Sequence, residues 1–268
     1  MHSRSRSHFR PQVRVLEERS LPNNLLGQGD GPGLSSPLDG SLLAAALALS
    51  PQQVTPPVGQ TSSLGILMPD TNPYGKTYGE WSALWWQWAF SQPTTANPLF
   101  DTAPVGTGQP FSNVWFLGGS FTQANVTRDV TIPANTALFF PIVNSESDNF
   151  ATPPVNDRML RQVSKKAVDQ ATNEFLTIDG MSVAGLDRFR TQSPAFTLGP
   201  LPDNNIYQFF GLDVPKDSTS PAEAYGIYVM LQPLSPGQHT IQFGATLPGG
   251  TGQPAFSFVV TYNITVTP

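Results

Sequence analysis

The stretch Phe256 to Val266, FSFVVTYNITV, decides the fold class of this 268-residue chain. Its large apolar side chains stand at every second position: Phe256, Phe258, Val260, Tyr262, Ile264 and Val266. Successive side chains of a strand point to opposite sides, so this alternation places one set of side chains on one face. The segment is therefore predicted to be a strand with one buried face.

The same signals predict further strands and turns before this one. Tyr225–Leu231 and His239–Leu247 are separated by a Ser235-Pro236-Gly237 turn, and Leu176–Val183 folds over Asp179-Gly180, the strongest short hairpin signal. Additional strands are predicted at 113–118, 126–132, 137–143, 188–198 and 206–210, with 126–132 and 137–143 joined as a hairpin across Pro133-Ala134-Asn135. Such a pattern is typical of a mostly β fold, an antiparallel β-sandwich of jelly-roll or Ig-like type.

Two helices are expected beside the strands. Thr77 to Ser91 (TYGEWSALWWQWAFS) begins with Thr77 and Glu80 at capping-box spacing and holds four of the five tryptophans. Trp86 and Phe90 lie opposite its main apolar face, which is formed by Trp81, Leu84, Trp85, Trp88 and Ala89. The spacing of apolar residues in 156–175 predicts a second, amphipathic helix.

Composition divides the chain at about residue 64. Residues 1–64 are rich in Ser, Pro, Gly, Gln and Asn, and they are predicted to be a disordered leader. The leader is basic at its start and contains an apolar run, Leu42–Leu49, which fits either a signal-peptide core or a transient helix. Residues 65–268 are predicted to be a globular β-rich domain, in which a division into two sub-lobes, 65–155 and 156–268, stays open.

Charge and cysteine content exclude several classes of function. The formal net charge of -5 and the scattered basic residues of the folded part argue against nucleic-acid binding. The chain has no Cys, which excludes disulfides and thiolate chemistry. No apolar run approaches the roughly 18 residues that a membrane-spanning helix needs.

Two resemblances bear on localisation and architecture. Arg10 to Asn24 (RPQVRVLEERSLPNN) resembles the LEDR-LP leader of exported planctomycete-type proteins, with Glu18 where that leader usually has Asp. The resemblance implies export to the periplasm, the cell surface or the medium. The stretches GEWSALWWQWAF, ALFFPIVNSES and LSPGQHTIQFG resemble an uncharacterised group of secreted bacterial proteins that carry a Trp-rich helix ahead of a β domain.

Histidine content restricts the possible catalytic sites. His2 and His8 lie in the leader, so His239 is the one imidazole of the predicted domain. A catalytic zinc site usually needs two or three His ligands, and a Ser-His-Asp triad would have to use His239 without a Gly-x-Ser-x-Gly motif. His239 is therefore a candidate catalytic residue, with a role in capping a turn as the alternative.

Carboxylates supply the remaining candidate chemistry. Asn144, Glu146 and Asp148 alternate at the end of a predicted buried strand, so their side chains should point to one side. As a set they could bind calcium, and the Glu146–Asp148 pair could act as general acid and base on a glycosidic bond. A solvated loop carrying two charges is the alternative.

A cleft beside these carboxylates would need lining residues from the Trp-rich helix. Trp86 and Phe90 could stack on a sugar ring there, with Glu80 and Tyr78 as further ligand-binding candidates. A helix that is apolar all round is more often buried, so burial of these rings is the competing prediction.

These observations predict an exported, non-catalytic β-sandwich module at the cell surface or outside the cell, with a polysaccharide or a cell-surface component as partner. The alternative is a glycan-active enzyme, a hydrolase or a lyase, that uses the carboxylate pair. Neither hypothesis requires a cofactor, although calcium fits both.

Overall fold

The computed structural model describes residues 64–100, 106, 108–121, 125–150, 154–248 and 255–268. Residues 1–63 of the predicted leader, which include the LEERSLP stretch and the Leu42–Leu49 run, lie outside the described residues. No helix in the described part is long and apolar enough to cross a membrane.

Strands dominate the described residues. The strands are β1 (Ile66–Leu67), β2 (Val114–Phe116), β3 (Asn125–Pro133), β4 (Ala137–Asp148), β5 (Thr172–Ile178), β6 (Met181–Ser182), β7 (Arg190–Gln192), β8 (Phe196–Leu198), β9 (Ser220–Leu231), β10 (Gly237–Leu247) and β11 (Phe256–Thr267). The helices are α1 (Tyr78–Phe90), α2 (Asp157–Asp169) and α3 (Ile206–Phe209), with 3-10 turns at Pro69–Thr71, Pro73–Gly75 and Leu186–Phe189.

The strands form two sheets. In the six-stranded sheet β4 lies between β2 and β9, and the short strands β1, β7 and β8 follow one another along the other edge of β9. The five-stranded sheet has the order β3-β11-β10-β5-β6. The predicted mostly β, sandwich-like architecture is thus confirmed, and two of its strand pairs, β2–β4 and β3–β11, are parallel.

Local predictions had mixed outcomes. The hairpin over Asp179-Gly180 is confirmed, because Ile178 pairs with Met181. The predicted hairpin across Pro133-Ala134-Asn135 is wrong, since β3 and β4 belong to different sheets. The predicted strand at 206–210 is also wrong, because it is the one-turn helix α3, begun by a capping box between Asn205 and Gln208.

Helix α1 and the five-stranded sheet cover opposite faces of the six-stranded sheet. On one side, the ring of Phe139 meets Tyr78 and Trp81 of α1, while on the other side Phe140 stacks on Phe243 of β10 at 5.2 Å. Helix α2 packs on the β10 side of β4 and β9. One buried core connects all these layers, which explains why α1 carries apolar residues all round.

Candidate functional site

The end of β4 carries a cluster of polar side chains on the face that α1 covers. Asn144 Nδ2 donates to the hydroxyl of Tyr228 at 3.3 Å, and Trp86 Nε1 donates to the same hydroxyl at 3.0 Å. Asp148 follows Glu146 by two positions in β4. Its carboxylate accepts a hydrogen bond from the hydroxyl of Tyr207 at 2.5 Å. We call Asn144, Glu146, Asp148, Tyr207 and Tyr228 the carboxyl site.

Gly226 on the neighbouring strand makes room for this cluster. It pairs with Asn144 across β4 and β9. A Cβ at Gly226 would lie 2.6 Å from Cε2 of Tyr228 and 2.7 Å from Cβ of Asn144. Both distances are shorter than a van der Waals contact, so the carboxyl site depends on glycine at this position.

Glu146 and Asp148 form a like-charge pair. Asp148 is 2% exposed, and it accepts from the backbone N–H of Phe150 at 2.6 Å as well as from Tyr207. Part of Glu146 reaches the surface, but its Oε1 is shut off from solvent and has no hydrogen-bond partner among the described residues. Burial, the charge of Asp148 and a hydrogen bond with Asp148 raise the pKa of Glu146 well above its ordinary value.

The tyrosines of the site are held neutral. Burial, the charges of Glu146 and Asp148 and the bond to Asp148 raise the pKa of Tyr207 well above its ordinary value. Burial also raises the pKa of Tyr228, although hydrogen bonds from Asn144 and Trp86 oppose the shift. Both hydroxyls therefore act as hydrogen-bonding groups rather than as bases.

The geometry brings the predicted carboxylates together but gives them an unfavourable spacing for glycoside hydrolysis. Glycosidases place their carboxyl groups about 5–10 Å apart, with the sugar or a water between them. Here Glu146 and Asp148 hydrogen-bond each other directly. In the described part of the chain no group of three or more His, Cys, Asp or Glu side chains could hold a metal ion, and the calcium set of Asn144, Glu146 and Asp148 stays a prediction.

His239 lies away from this cluster, on β10 of the five-stranded sheet. Its Nδ1 is 2.8 Å from Oδ2 of Asp179, and its Nε2 is 2.9 Å from the Ser235 carbonyl oxygen and 3.3 Å from Ser235 Oγ. We call His239 and Asp179 the His239 clamp, because they tie the β5–β6 turn to the residues before β10.

The His239 clamp resembles a Ser-His-Asp triad only superficially. Burial alone would lower the pKa of His239, but hydrogen bonds to Asp179 and to the Ser235 carbonyl raise it overall. A carbonyl oxygen facing Nε2 requires a proton on that nitrogen, so the ring cannot take a proton from Ser235. The clamp therefore matches the turn-capping alternative for His239.

The aromatic ligand-binding candidates on α1 are not open to a ligand. Trp86 and Tyr78 are each 2% exposed and Phe90 is 6% exposed, so none of these rings can stack on a sugar in this conformation. Glu80 is exposed, and it accepts from the N–H and hydroxyl of Thr77 in the predicted capping box. The aromatic residues of α1 are buried, as the competing prediction stated.

An aromatic cluster with one exposed ring, Phe209, lies at α3, where the sequence predicted a strand. Phe209 is 52% exposed, and its ring contacts Phe100 at 4.6 Å and Phe210 at 5.3 Å. Phe121 contacts both Phe100 and Phe210. We call Phe100, Phe121, Phe209 and Phe210 the Phe209 patch. The Asn205–Gln208 capping box was the one sequence signal that could have revealed it.

A small cavity of about 40 Å³ lies on the other side of Asn144. Its lining includes Trp85, Leu99, Val143 and Phe258, and it is therefore mainly apolar. A volume of this size accommodates one or two water molecules and not a sugar ring.

Comparisons with known proteins leave the family open. No family model matches the chain, and no curated protein matches it. PbICP-C, in the structure of its complex with falcipain-2, is 11% identical at a TM-score of 0.23 and covers 58% of this chain and 99% of its own. The cysteine protease inhibitor EhICP2 from Entamoeba histolytica is 15% identical at a TM-score of 0.18 and covers 53% of this chain and 94% of its own. At these TM-scores the likeness establishes neither a shared fold nor a shared function.

Proposed function

We propose that the chain is an exported, non-catalytic β-sandwich module that binds a glycan through the Phe209 patch. The observation that carries the proposal is the half-exposed ring of Phe209, supported from behind by Phe100 and Phe210. A half-exposed aromatic ring held in place by other rings offers a face on which a sugar ring can stack.

Polar groups around the ring favour a glycan over an apolar partner. Asn204 and Asp213 are exposed and lie within five residues of Phe209 in the chain, whereas the amide of Gln208 is already bonded to the Asn205 N–H and the Val214 carbonyl. A sugar needs hydrogen-bonding groups beside the surface on which it stacks, because its hydroxyls lose water on binding. Export rests on the resemblance of the leader, and sequencing the N-terminus of the mature protein recovered from its host would test it.

A binding screen tests the proposal directly. The full chain is applied to a glycan array and to insoluble polysaccharides, together with Phe209→Ala and Met181→Ala. Met181 is the matched control, since it is 54% exposed on β6 of the other sheet. We expect a glycan to bind, F209A to weaken its affinity about tenfold or more, and M181A to leave it unchanged. Absence of any bound glycan, or full affinity in F209A, would overturn the proposal.

One observation favours the glycan-active enzyme as a second candidate. The raised pKa of Glu146 beside Asp148 provides a protonated acid next to a carboxylate, as general acid catalysis requires. The direct contact between the two carboxyls and the enclosed Oε1 argue against it. If the same polysaccharides gain new chain ends with the wild-type chain and none with Glu146→Gln, the enzyme replaces the binding module.

A further inference from the structure

The Phe209 ring is carried by a closed loop. Residues 199–218 connect β8 to β9, and α3 lies in the middle of this connection. Asn205 is buried and ties the two halves of the loop together, because its Nδ2 donates to the carbonyl oxygens of Pro202 at 3.2 Å and Val214 at 2.9 Å. These bonds hold the ring of Phe209 and the exposed side chains of the loop in one arrangement, which reduces the entropy that a ligand loses on binding.

The exposed charges of this loop are mainly negative. Asp203, Asp213 and Asp217 are exposed, and Lys216 is the one exposed cation of the loop. The Nζ of Lys216 lies 3.7 Å from Oδ2 of Asp203, so these two charges form an ion pair. Among the described residues no cation forms an ion pair with Asp213 or Asp217. The loop that carries Phe209 therefore keeps two negative charges for a ligand to meet.

The largest group of exposed basic residues lies elsewhere, on α2. This helix exposes four basic side chains against two aspartates, and the basic ones are Arg158, Arg161, Lys165 and Lys166. Helix α2 packs on the β10 side of the six-stranded sheet, whereas α3 lies on the side of α1, where Tyr207 contacts Phe90 at 5.7 Å. A ligand at the Phe209 patch therefore meets the carboxylates of the loop and not these basic side chains.

An aromatic ring beside carboxylates suits a ligand that carries ammonium groups. The face of an aromatic ring attracts a cation at short range, and carboxylates without a cationic partner attract it over a longer range. Uronic acids would be repelled by Asp213 and Asp217, and a neutral sugar would gain nothing from their charge. Among glycans, polymers of amino sugars with free amines match both the ring and the charges.

We propose that the Phe209 patch selects glycans built of amino sugars with unsubstituted amines. Phe209 stacks on a sugar ring, and Asp213 and Asp217 attract the ammonium groups, which makes these two aspartates specificity-determining residues. The inference rests on the proposed function and adds to it the charge class of the glycan.

Three soluble hexasaccharides test the charge class. The full chain is titrated in a calorimeter at about pH 5.5, where free sugar amines are protonated, with hexamers of glucosamine, N-acetylglucosamine and galacturonic acid. We expect the glucosamine hexamer to bind about tenfold more tightly than the N-acetylglucosamine hexamer, and the galacturonic acid hexamer to bind most weakly. Raising the salt concentration from about 50 mM to about 500 mM should remove most of this preference.

Single charge variants locate the contact. Asp213→Asn and Asp217→Asn should each lower the affinity for the glucosamine hexamer about threefold, and Phe209→Ala about tenfold. Asp157→Asn is the matched control, since it removes the same formal charge from an exposed position on α2, and it should leave the affinity unchanged. Equal losses in D157N and D213N would show that only the net charge of the chain attracts the polymer, and the inference would fail.

The outcomes separate this inference from the proposed function. Equal affinity for the glucosamine and N-acetylglucosamine hexamers, lost in F209A, would reject the charge preference and leave a glycan-binding module. The same holds if a neutral or anionic glycan binds through Phe209 and the glucosamine hexamer does not. Absence of binding to any glycan, or glucosamine binding that is unchanged in F209A, would overturn both.

Discussion

The carboxyl site and the His239 clamp each hold an aspartate beside a second titratable side chain. The two pairs differ in the charge of that second group and in exposure to solvent. In the carboxyl site Asp148 is 2% exposed and meets a second carboxyl group, Glu146. In the clamp the side chain of Asp179 is 39% exposed and meets the imidazole of His239. The first pair brings two groups of like charge together, which raises the pKa of Glu146, whereas the second joins opposite charges at the surface.

The comparison shows that a short distance between titratable groups does not by itself indicate catalysis. In the clamp each partner stabilises the charged form of the other, so the pKa of His239 is raised and the pKa of Asp179 is lowered. In the carboxyl site burial and the like charge of Asp148 oppose ionisation of Glu146. The buried pair is therefore the more sensitive of the two to substitution and to pH.

Replacing Asp148 and Asp179, one at a time, by asparagine should give the largest difference in the free energy of unfolding. Asp148→Asn removes the charge that accepts from Tyr207, Phe150 N–H and Glu146, and we expect a loss of about 3 kcal/mol in the free energy of unfolding. Asp179→Asn loses an ion pair at the surface, which corresponds to about 1 kcal/mol. Urea denaturation at pH 6 measures both. Equal losses would contradict the contrast between the buried and the exposed pair.

Backbone space around the carboxyl site gives a second, smaller effect. Gly226→Ala places a Cβ against Tyr228 and Asn144, and we expect about 2 kcal/mol of destabilisation. Gly119→Ala is the matched control, because a Cβ there meets nothing within 4 Å. A G226A protein as stable as G119A would mean that the site tolerates repacking, and the contrast with the clamp would lose its structural basis.

Local patterns in the sequence predicted the parts of the molecule that local interactions determine. The capping box of Thr77 and Glu80 located α1, and the alternation of Asn144, Glu146 and Asp148 placed these side chains on one face of β4. The burial of these three side chains depends on α1 and α3, which are distant from β4 in the sequence. No local sequence pattern predicts that these helices pack there.

The wrong predictions follow from the same limit. β3 pairs in parallel with β11, more than 120 residues away, so the turn residues after β3 wrongly suggested a hairpin with β4. The apolar residues of 206–210 are also typical of a short strand. A segment this short shows no periodicity that separates a helix from a strand. The partner of His239 was equally hidden, because Asp179 lies 60 residues earlier in the chain, in the turn of the hairpin that pairs with β10.

The smallest predicted effect is the pH dependence of the His239 clamp. The pKa of His239 is raised above its ordinary value of about 6.5, so its contribution is complete below that pH and is lost as pH rises through the folded pKa. Burial would raise the pKa of Asp179, but hydrogen bonds from His239 and the Thr240 N–H lower it overall, so its contribution is lost only as pH falls below about 4.

The clamp should therefore stabilise the fold most between about pH 4 and pH 6.5. His239→Gln keeps a donor for Asp179 without a charge, and we expect it to cost up to about 1 kcal/mol at pH 5.5 and less at pH 9, since solvent screens the pair. Lys165→Gln, which removes the exposed pair with Asp169, should show a constant difference over this range. A loss in H239Q that stays constant from pH 5.5 to pH 9 would show that His239 acts through packing and neutral hydrogen bonds, and the charge contrast with the carboxyl site would fail.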